Sequence, residues 1–465
     1  MLFSSAIFVF GFLPAVLFLY YVILRKKRKL QNVLLTFTSL FFYAWGEPLF
    51  ALVMLGVIAI DYLFALTVNK YRSDKKKSRI ILTATVASNL LVFFIFKYLV
   101  FTLTNINSIF DLSITVPDIA LPIGISFFLF QALSYVIDVY REKGEVQKNI
   151  LNVALYISFF PQLIAGPIVR YENIADQIKN RKETFDDFID GVCKFIVGLG
   201  KKVLIANTLA LVADSAFAEP NISVAFAWLG AIAYTFQIFY DFSGYSDMAL
   251  GLGKMFGFHF LENFNYPYIS KSISEFWRRW HISLGSWFRD YVYFPLGGSR
   301  VNSKARLVFN LFVVWVLTGV WHGANWTFIV WGLMFFSLIA LEKLTGFDKK
   351  IKVFGYIYTP FFVIVGWVLF RATDISHAVE YLSAMFGLSG NTLFDSVAAF
   401  QFFDNKFFFI AALLFSFPFA PWLKKKVSNN IIANIIYSIL MVVVFVVSVS
   451  YIIKGSYNPF IYFNF

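Results

Sequence analysis

The sequence predicts an all-α polytopic membrane protein, and two features of its composition support that prediction. Hydrophobic residues make up 59% of the 465 residues and charged residues only 14%, whereas ordinary globular chains are about 25% charged. Apolar runs of about twenty residues, the length that a helix needs to cross a bilayer, recur from one end of the chain to the other. No polar linker separates these runs. We therefore expect one membrane-embedded domain over residues 1–465.

Basic residues give the topology. The net charge of +13 comes from 40 Lys and Arg against 27 Asp and Glu. The basic residues stand in short clusters beside apolar runs. This is the pattern of cytoplasmic loops under the positive-inside rule, and it does not indicate a nucleic-acid partner. The clusters expected on the cytoplasmic side are 25–29, 70–79, 141–148, 179–182, 343–352 and 424–426. Loops 102–118 and 372–405 contain no Lys or Arg and are expected outside.

Threading the chain between these clusters predicts about ten full crossings. They are residues 2–24, 30–46, 49–69, 80–101, 119–140, 203–218, 224–253, 353–370, 405–423 and 430–453. The first run is longer than the core of a signal peptide and no basic region precedes it, so we expect a retained span. An even number of crossings places both termini outside.

Three further segments are predicted not to cross. Residues 150–168 carry two prolines between two basic clusters, which predicts an element that enters the membrane and returns. Residues 260–300 are too charged to cross. Residues 306–343 leave the cytoplasmic side and rejoin it, with His322 midway and arms of about sixteen residues, or about 24 Å, against a ~30 Å hydrocarbon core. His322 is therefore expected at the apex of a short hairpin inside the membrane, where it lines a pocket or channel.

Residues 274–300, SEFWRRWHISLGSWFRDYVYFPLGGSR, are predicted to form an interfacial or re-entrant amphipathic helix on the cytoplasmic side, with Ser274 as its N-cap. At 100° per residue, one apolar stripe contains Trp277, Trp280, Leu284, Trp287, Phe288 and Tyr291. The other side carries Arg278, Arg279, Arg289 and Asp290, and His281 lies near the edge of the stripe. The simplest role for such a helix is a membrane-surface anchor.

Four blocks, in this order, carry a resemblance to a known family. They are FYDFSGYSDMALGLGKMFGF (239–258), NFNYPY (263–268), SEFWRRWHISLGSWFRDYVYFPLGG (274–298) and WHGANWTFIVWG (321–332). Together they resemble the membrane-bound O-acyltransferase (MBOAT) family, and within it the bacterial branch typified by alginate O-acetyltransferase. The resemblance covers nearly the whole chain.

The resemblance implies a ring of helices around a thinned catalytic centre, with a donor entrance on the cytoplasmic side and an acceptor funnel outside. It implies that His322 is catalytic and that His281 is the second polar group of the reaction tunnel. It further implies an acyl thioester donor such as acetyl-coenzyme A, a cell-envelope polysaccharide as acceptor and a separate SGNH-type acetyltransferase as partner. The expected location is the bacterial cytoplasmic membrane.

Ester formation from a thioester needs a base for the hydroxyl proton and a donor for the oxyanion. A neutral imidazole suits the first task, so His322 is the candidate base; the alternative is a structural histidine that caps the hairpin. For His281 the alternative is to hold the end of the amphipathic helix. Asn325 is a candidate oxyanion donor, and a place in the hairpin turn explains it equally well. One cysteine and four scattered histidines offer no metal-ligand spacing, so neither a metal nor a bound cofactor is expected.

Polar residues near the site are the remaining candidates for binding substrate. Asp241 and Asp247 lie in a predicted span, where a lone carboxylate is costly. We expect them to pair with Arg278 or Arg279, or to orient His281, mainly as structural support. The candidate substrate-binding residues are Asp241, Asp247, Trp280, Asn325, Arg278 and Arg279.

Residues 456–465 are predicted to form an extracellular aromatic C-terminal tail. Its last six residues, FIYFNF, are costly to expose to water, so we expect them to fold back onto an apolar surface or to lie in an interfacial aromatic belt. The tail also resembles an aromatic C-terminal motif of this branch, which implies that the matching residue, Tyr462, accepts the acyl group. A phenol is deprotonated more readily than a sugar hydroxyl, so Tyr462 is the candidate for an acyl relay.

Two other functions remain open from the sequence. The first is transfer of D-alanine to an envelope polymer; the chain length and the C-terminal FIYFNF favour acetyl transfer instead. The second is a transporter or channel in which His322 relays protons. No inverted repeat is visible in the hydropathy pattern, which weighs against transport.

Overall fold

The computed structural model describes residues 1–419, 422, 430–455 and 457–461. Within these ranges the chain is helical and contains no strand. Seven of the described helices are long and apolar enough to cross a membrane, and three shorter apolar helices accompany them. The all-α polytopic prediction is therefore confirmed.

The chain separates into two compact units. Unit 1 consists of Met1–Phe195 and Tyr245–Leu261. Its helices are α1 (Ile7–Ile23), α2 (Arg28–Ala44), α3 (Pro48–Lys70), α4 (Lys75–Phe110), α5 (Ile125–Tyr140), α6 (Ile150–Ser158), α7 (Phe160–Leu163) and α8 (Tyr171–Asn180). Two long helices, α9 (Phe185–Ala218) and α10 (Val224–Met255), contribute residues to both units.

Unit 2 consists of Ile196–Gly244 and the chain from Glu262 onward. Its helices are α11 (Ile273–Arg279), α12 (Ile282–Phe288), α13 (Lys304–His322), α14 (Trp326–Thr345), α15 (Phe347–Lys350), α16 (Gly355–Arg371), α17 (Ile375–Met385), α18 (Ser396–Phe415) and α19 (Ile431–Ile453). The candidate spans are α3, α4, α9, α13, α14, α18 and α19, and the shorter apolar helices are α1, α5 and α16. Both histidines of the predicted site lie in this unit.

The arms on either side of His322 are longer than the sequence predicted. Helix α13 has 19 residues and α14 has 20, which at 1.5 Å per residue is about 28–30 Å and matches a ~30 Å hydrocarbon core. Ser303 caps α13 by accepting from the Arg306 amide at 3.1 Å, so the helix begins before the arginine taken as its cytoplasmic flank. His322 lies at the turn as expected. The prediction that its arms are too short to cross the hydrocarbon core was wrong.

The predicted amphipathic helix over residues 274–300 is broken. Helix α11 ends at Arg279, α12 begins at Ile282, and His281 between them has φ +46°. The N-cap of α11 is Ser272, which accepts from the Glu275 amide at 3.1 Å, and not Ser274. A regular apolar stripe therefore predicted one helix where the chain forms two, because the groups that stabilise the break come from a different segment.

Helices α13 and α14 approach closely through two glycines. A Cβ atom on Gly319 would lie 2.5 Å from the carbonyl oxygen of Phe328, and one on Gly332 would lie 2.6 Å from the carbonyl oxygen of Trp315. Small residues allow this proximity between membrane helices. The close packing holds the His322 end of α13 against the start of α14.

Gly332→Ala is expected to destabilise unit 2, because its methyl group would overlap a backbone oxygen and overpacking costs about 1–3 kcal/mol. The measurement is thermal unfolding of the detergent-solubilised chain, followed by tryptophan fluorescence. Gly56→Ala is the matched control, since a Cβ atom at Gly56 meets nothing within 4 Å. Equal melting temperatures for the two variants would contradict the close-packing account.

Candidate active site

His322 is the last residue of α13 and lies among aromatic rings. It is 5% exposed. The centroid of its imidazole lies 5.0 Å from the rings of Trp321 and Trp331 and 5.1 Å from that of Phe370, each at a steep interplanar angle. Helices α14 and α16 supply Trp331 and Phe370. Three rings thus surround an imidazole and shield it from water.

His281 occupies the break between α11 and α12. Its positive φ is a conformation that histidine tolerates better than most residues, and the side chain is 2% exposed. Its Nδ1 lies 3.2 Å from Oδ1 of Asn263. The same oxygen accepts from the backbone amide of Ser283 at 3.1 Å and from its hydroxyl at 2.9 Å.

The Asn263 contacts define the tautomer of His281. The backbone amide of Ser283 can only donate, so the Asn263 atom that it contacts must be the oxygen. That oxygen in turn requires a proton on Nδ1 of His281, which places the lone pair of the neutral ring on Nε2. Complete burial lowers the pKa of His281 to about 3. His281 is therefore neutral at physiological pH.

One indole contacts both histidines. The ring of Trp321 lies 5.9 Å from the His281 ring and 5.0 Å from the His322 ring, measured between centroids. On its other side His281 lies 4.6 Å from the ring of Phe242 on α10. The structure thus brings together the two histidines that the sequence predicted to share a site.

A buried glutamate fixes the start of α11. Glu342, near the end of α14, is 1% exposed and accepts from the amides of Ile273 at 2.6 Å and Ser274 at 2.8 Å. A carboxylate at a helix N-terminus satisfies amides that lack a partner within the helix. Glu342 therefore ties α11 to the helix that also supplies Trp331.

Trp280 is buried where α11 ends. Its ring lies 4.8 Å from that of Trp367 and 5.5 Å from that of Phe276. In the same helix, Trp277 lies 5.4 Å from Trp331, whose indole also contacts His322. Trp280 thus belongs to the aromatic packing around the site.

The two arginines of α11 have different surroundings. Arg279 pairs with Glu275 at 2.9 Å and donates to the carbonyl of Asn265 at 3.1 Å. Arg278 is exposed. Neither pairs with Asp241, contrary to the expectation from the sequence: Asp241 pairs with Lys202 at 2.7 Å.

Asp247 has a lysine partner of its own. Within unit 1 it lies 3.6 Å from Lys194, and both side chains are partly exposed. Lysines on α9 thus pair with both carboxylates of α10. The structural role expected for Asp241 and Asp247 remains, with different partners.

Asn325 is the N-cap of α14. Its Oδ1 accepts from the Thr327 amide at 3.1 Å, and its Nδ2 donates to the carbonyl of Thr373 at 2.7 Å. Asn325 was considered as an oxyanion donor or as a residue of the hairpin turn. Its contacts in the structure are those of the turn.

The described part of the C-terminal tail is folded onto unit 2. Phe460 and Ile461 are buried, at 4% and 7% exposed. The amide of Ile461 donates to Oδ2 of Asp241 at 2.9 Å. Tyr462, the predicted acyl acceptor, lies outside the described residues.

Sequence patterns alone did not point to four residues around the site, Asn263, Glu342, Trp331 and Trp367. Nor did they point to Lys202 and Asn207, which contact the tail. Lys202 could have been found from the sequence, because it is an ionisable residue next to an apolar run. The predicted span began at residue 203, so Lys202 fell just outside it. Among the described residues, no cluster of His, Cys, Asp and Glu has the geometry of a metal site.

Comparison with known proteins gives matches over most of the chain. The model of the membrane-bound O-acyltransferase family, MBOAT, matches residues 39–376. The chain is 40% identical to the probable alginate O-acetylase AlgI of Pseudomonas putida KT2440 over the full length of both. It is 35% identical to the peptidoglycan O-acetyltransferase of Helicobacter pylori 26695, over 84% of this chain and 81% of the relative. The teichoic acid D-alanyltransferase of Bacillus subtilis 168 is 29% identical, over 55% of this chain and 70% of the relative.

His281→Asn is expected to reduce the dependence of stability on pH. The folded state keeps this imidazole neutral down to about pH 3, whereas an unfolded histidine binds a proton below about pH 6.5. As the pH falls through 6.5, the unfolded wild type gains a proton that the folded protein does not bind, so its free energy of unfolding decreases. Asparagine tolerates the same backbone conformation but does not titrate. Between pH 7.5 and pH 5, thermal unfolding should show a larger decrease in stability for the wild type than for His281→Asn. Equal decreases in the two proteins would refute the buried neutral imidazole.

Proposed function

Because this chain belongs to the membrane-bound O-acyltransferase family, we propose that it moves an acetyl group from a cytoplasmic thioester across the membrane for O-acetylation of a cell-envelope or extracellular polysaccharide. The family match confirms the resemblance seen in the four sequence blocks, and the chain is an O-acyltransferase. The proposed location is the bacterial cytoplasmic membrane, with both termini outside.

The arrangement that carries the proposal is the pair of buried imidazoles that both contact the ring of Trp321. His322 lies at the turn between two candidate spans, where rings limit the access of water. A base in such a site acts without competition from bulk solvent. We assign His322 as the general base, and His281, with its lone pair on Nε2, as the second polar group of the reaction path.

The chemical step moves one proton and exchanges one bond. A ring nitrogen of His322 takes the proton of the attacking hydroxyl as its oxygen bonds to the thioester carbonyl carbon. The tetrahedral intermediate then collapses, the carbon–sulfur bond breaks, and the leaving thiolate receives the proton from the imidazolium. The products are an oxygen ester, a free thiol and a neutral histidine. Acetyl-coenzyme A is the proposed donor.

Trp331 is the proposed donor to the oxyanion. Its indole is fully buried against His322, and no described residue accepts a hydrogen bond from its Nε1. A buried donor without an acceptor costs free energy in the resting protein. An oxyanion that forms beside it would take that hydrogen bond only as the reaction proceeds, which lowers the barrier.

The proposed first acceptor is the phenol of Tyr462, from which the acetyl group passes on. In the second transfer, a serine or sugar hydroxyl attacks the aryl ester, the ester oxygen leaves and the phenol regains its proton. An SGNH-type acetyltransferase outside the membrane is the proposed partner, and a polysaccharide the final acceptor. The hydrogen bond from the Ile461 amide to Asp241 supports this route, because it anchors in unit 2 the residue that precedes Tyr462.

The D-alanyl alternative has weaker support, because identity to the O-acetyltransferase relatives is higher and extends over more of the chain. The transporter alternative is dropped, because the chain belongs to an acyltransferase family.

His322→Ala is expected to lower acetyl transfer by about 10²–10⁴, the range that general-base catalysis contributes. The measurement is transfer of radiolabel from acetyl-coenzyme A by the purified full chain. His259→Gln is the control, since His259 is exposed and its imidazole contacts only the Asp187 carboxylate among described side chains. Full activity of His322→Ala would remove this residue from the mechanism.

Trp331→Phe is expected to lower kcat by about 10²-fold and to leave the KM for the donor nearly unchanged, because the ring remains while the oxyanion donor is lost. Trp326→Phe is a suitable control, since Trp326 is 50% exposed at the start of the same helix. Equal kcat values for Trp331→Phe and the wild type would contradict the assignment.

A further inference from the structure

A buried ion pair in unit 2 contacts the tail. Lys202 lies midway along α9 and Asp241 lies on α10; Nζ and Oδ1 are 2.7 Å apart and both side chains are 2% exposed. Removing two charges from water is costly, and their attraction offsets that cost only where the remaining polar atoms also find partners. The question is therefore what satisfies the other donors and acceptors of this pair.

The main chain of the tail satisfies them. The ammonium of Lys202 donates to the carbonyl of Pro459 and, at 2.8 Å, to Oδ1 of Asn207. The other carboxylate oxygen of Asp241 accepts from the amide of Ile461 at 2.9 Å. A cation thus contacts a carbonyl, and an anion contacts an amide two residues further along. The polarity of the pair matches the polarity of the tail backbone.

Side-chain contacts add to this docking. The side-chain Nδ2 of Asn207 donates to Oδ1 of Asn458 at 3.2 Å. The Lys202 ammonium lies 5.9 Å from the centroid of the Phe460 ring. A second anchor lies at the start of the segment, where the hydroxyl of Tyr457 donates to Asp214 at 2.8 Å. Asp214 in turn pairs with Arg371 at the end of α16.

Each of the two anchoring groups, Lys202 with Asp241 and Asp214 with Arg371, includes a residue whose neighbour in the chain touches a histidine. Asp241 precedes Phe242, whose ring is 4.6 Å from that of His281. Arg371 follows Phe370, whose ring is 5.1 Å from that of His322. Asp241, which contacts the tail, is therefore bonded directly to a residue that touches His281, and Arg371, the partner of Asp214, is bonded directly to a residue that touches His322.

We propose that Lys202 and Asp241 form a receptor for the tail main chain and act as positioning residues for the acyl relay. They hold residues 457–461 on unit 2, and the relay through Tyr462 depends on that docking. The positioning role rests on the proposed function, whereas the docking itself does not. Because the pair binds backbone groups, its orientation matters: a lysine must contact the carbonyl and a carboxylate the amide.

The test is to exchange the pair, as Lys202→Asp with Asp241→Lys. The double variant keeps one buried cation and one buried anion on the same two helices, so an ion pair remains. It reverses the polarity presented to the tail, placing a carboxylate against the Pro459 carbonyl and an ammonium against the Ile461 amide. The matched control exchanges Lys194 and Asp247, a second Lys–Asp pair between α9 and α10, which lies in unit 1.

The readout is the reactivity of a cysteine in the tail. Ile461→Cys keeps the backbone amide, and Cys193→Ser removes the one native thiol. Labelling of the detergent-solubilised full chain by a maleimide should be slow in this background and in the Lys194/Asp247 exchange. It should be about tenfold faster or more in the Lys202/Asp241 exchange, because the tail then undocks. Elution volume and thermal unfolding report whether each variant is folded.

If the double exchange does not fold, the pair Lys202→Met and Lys202→Arg replaces it. Lys202→Arg keeps the cation and should label slowly, whereas Lys202→Met removes the donor to the Pro459 carbonyl and should label faster. Equal labelling of the wild type and the Lys202/Asp241 exchange, or of Lys202→Arg and Lys202→Met in the replacement pair, would overturn the receptor. Acceleration by the Lys194/Asp247 exchange as well would also overturn it, because general loosening of α9 and α10 would explain the result.

A separate assay tests the positioning role. In the Lys202/Asp241 exchange, kcat for transfer of radiolabelled acetyl groups should fall about tenfold or more while the KM for acetyl-coenzyme A stays unchanged. Fast cysteine labelling with undiminished acetyl transfer would overturn the positioning role. The cysteine assay uses no acyl donor, so failure of docking and failure of the proposed function remain distinguishable.

Discussion

A polar group removed from water needs a partner inside the protein, and the active-site unit depends on this constraint. Membrane-embedded backbone has no water to bond with, so each interruption of a helix requires donors and acceptors from elsewhere in the fold. Asn263 supplies them at the break before α12, Glu342 at the start of α11 and Asn325 at the turn before α14. These three side chains allow irregular backbone to be buried; His281 lies at such a position, and His322 is the last helical residue before another.

The aromatic residues complete the site by excluding water. Trp277 of α11 packs against Trp331, and Trp280, the residue after this helix, packs against Trp367; Trp331 continues the contact to His322. Tryptophan and phenylalanine offer large rigid surfaces, and their edge-to-face packing fixes the distances between rings. A shift of α11 would therefore be transmitted to His322 through Trp331. This connection explains why the RRWH and WHG blocks, some forty residues apart in the chain, form one site.

Much of the fold and site could be predicted from the sequence. Composition and apolar runs predicted the all-α polytopic class, and the order of four blocks identified the family. The charge clusters misled at residues 306–343, which were predicted not to cross although α13 and α14 are long and apolar enough to do so. The catalytic role of His322 stays a prediction. The break at His281 could not be predicted, because the residues on both sides continue one apolar stripe and the stabilising Asn263 lies outside that segment. Lys202 was missed for a related reason: a lysine beside a predicted span end looks like a cytoplasmic flank, whereas α9 continues through it. The partner of Asp241 was predicted wrongly, because the position of Lys202 in the chain does not show that its side chain is buried beside that carboxylate.

The central claim is that an acetyl group passes through the C-terminal tail under the control of His322. The most direct test is mass spectrometry of the C-terminal peptide after the purified protein has been incubated with acetyl-coenzyme A, in wild type, His322→Ala and Tyr462→Phe. Our account predicts one acetyl group on Tyr462 of the wild type, removable by hydroxylamine, and none in either variant. An unmodified wild-type peptide under conditions in which the polymer is acetylated would contradict it.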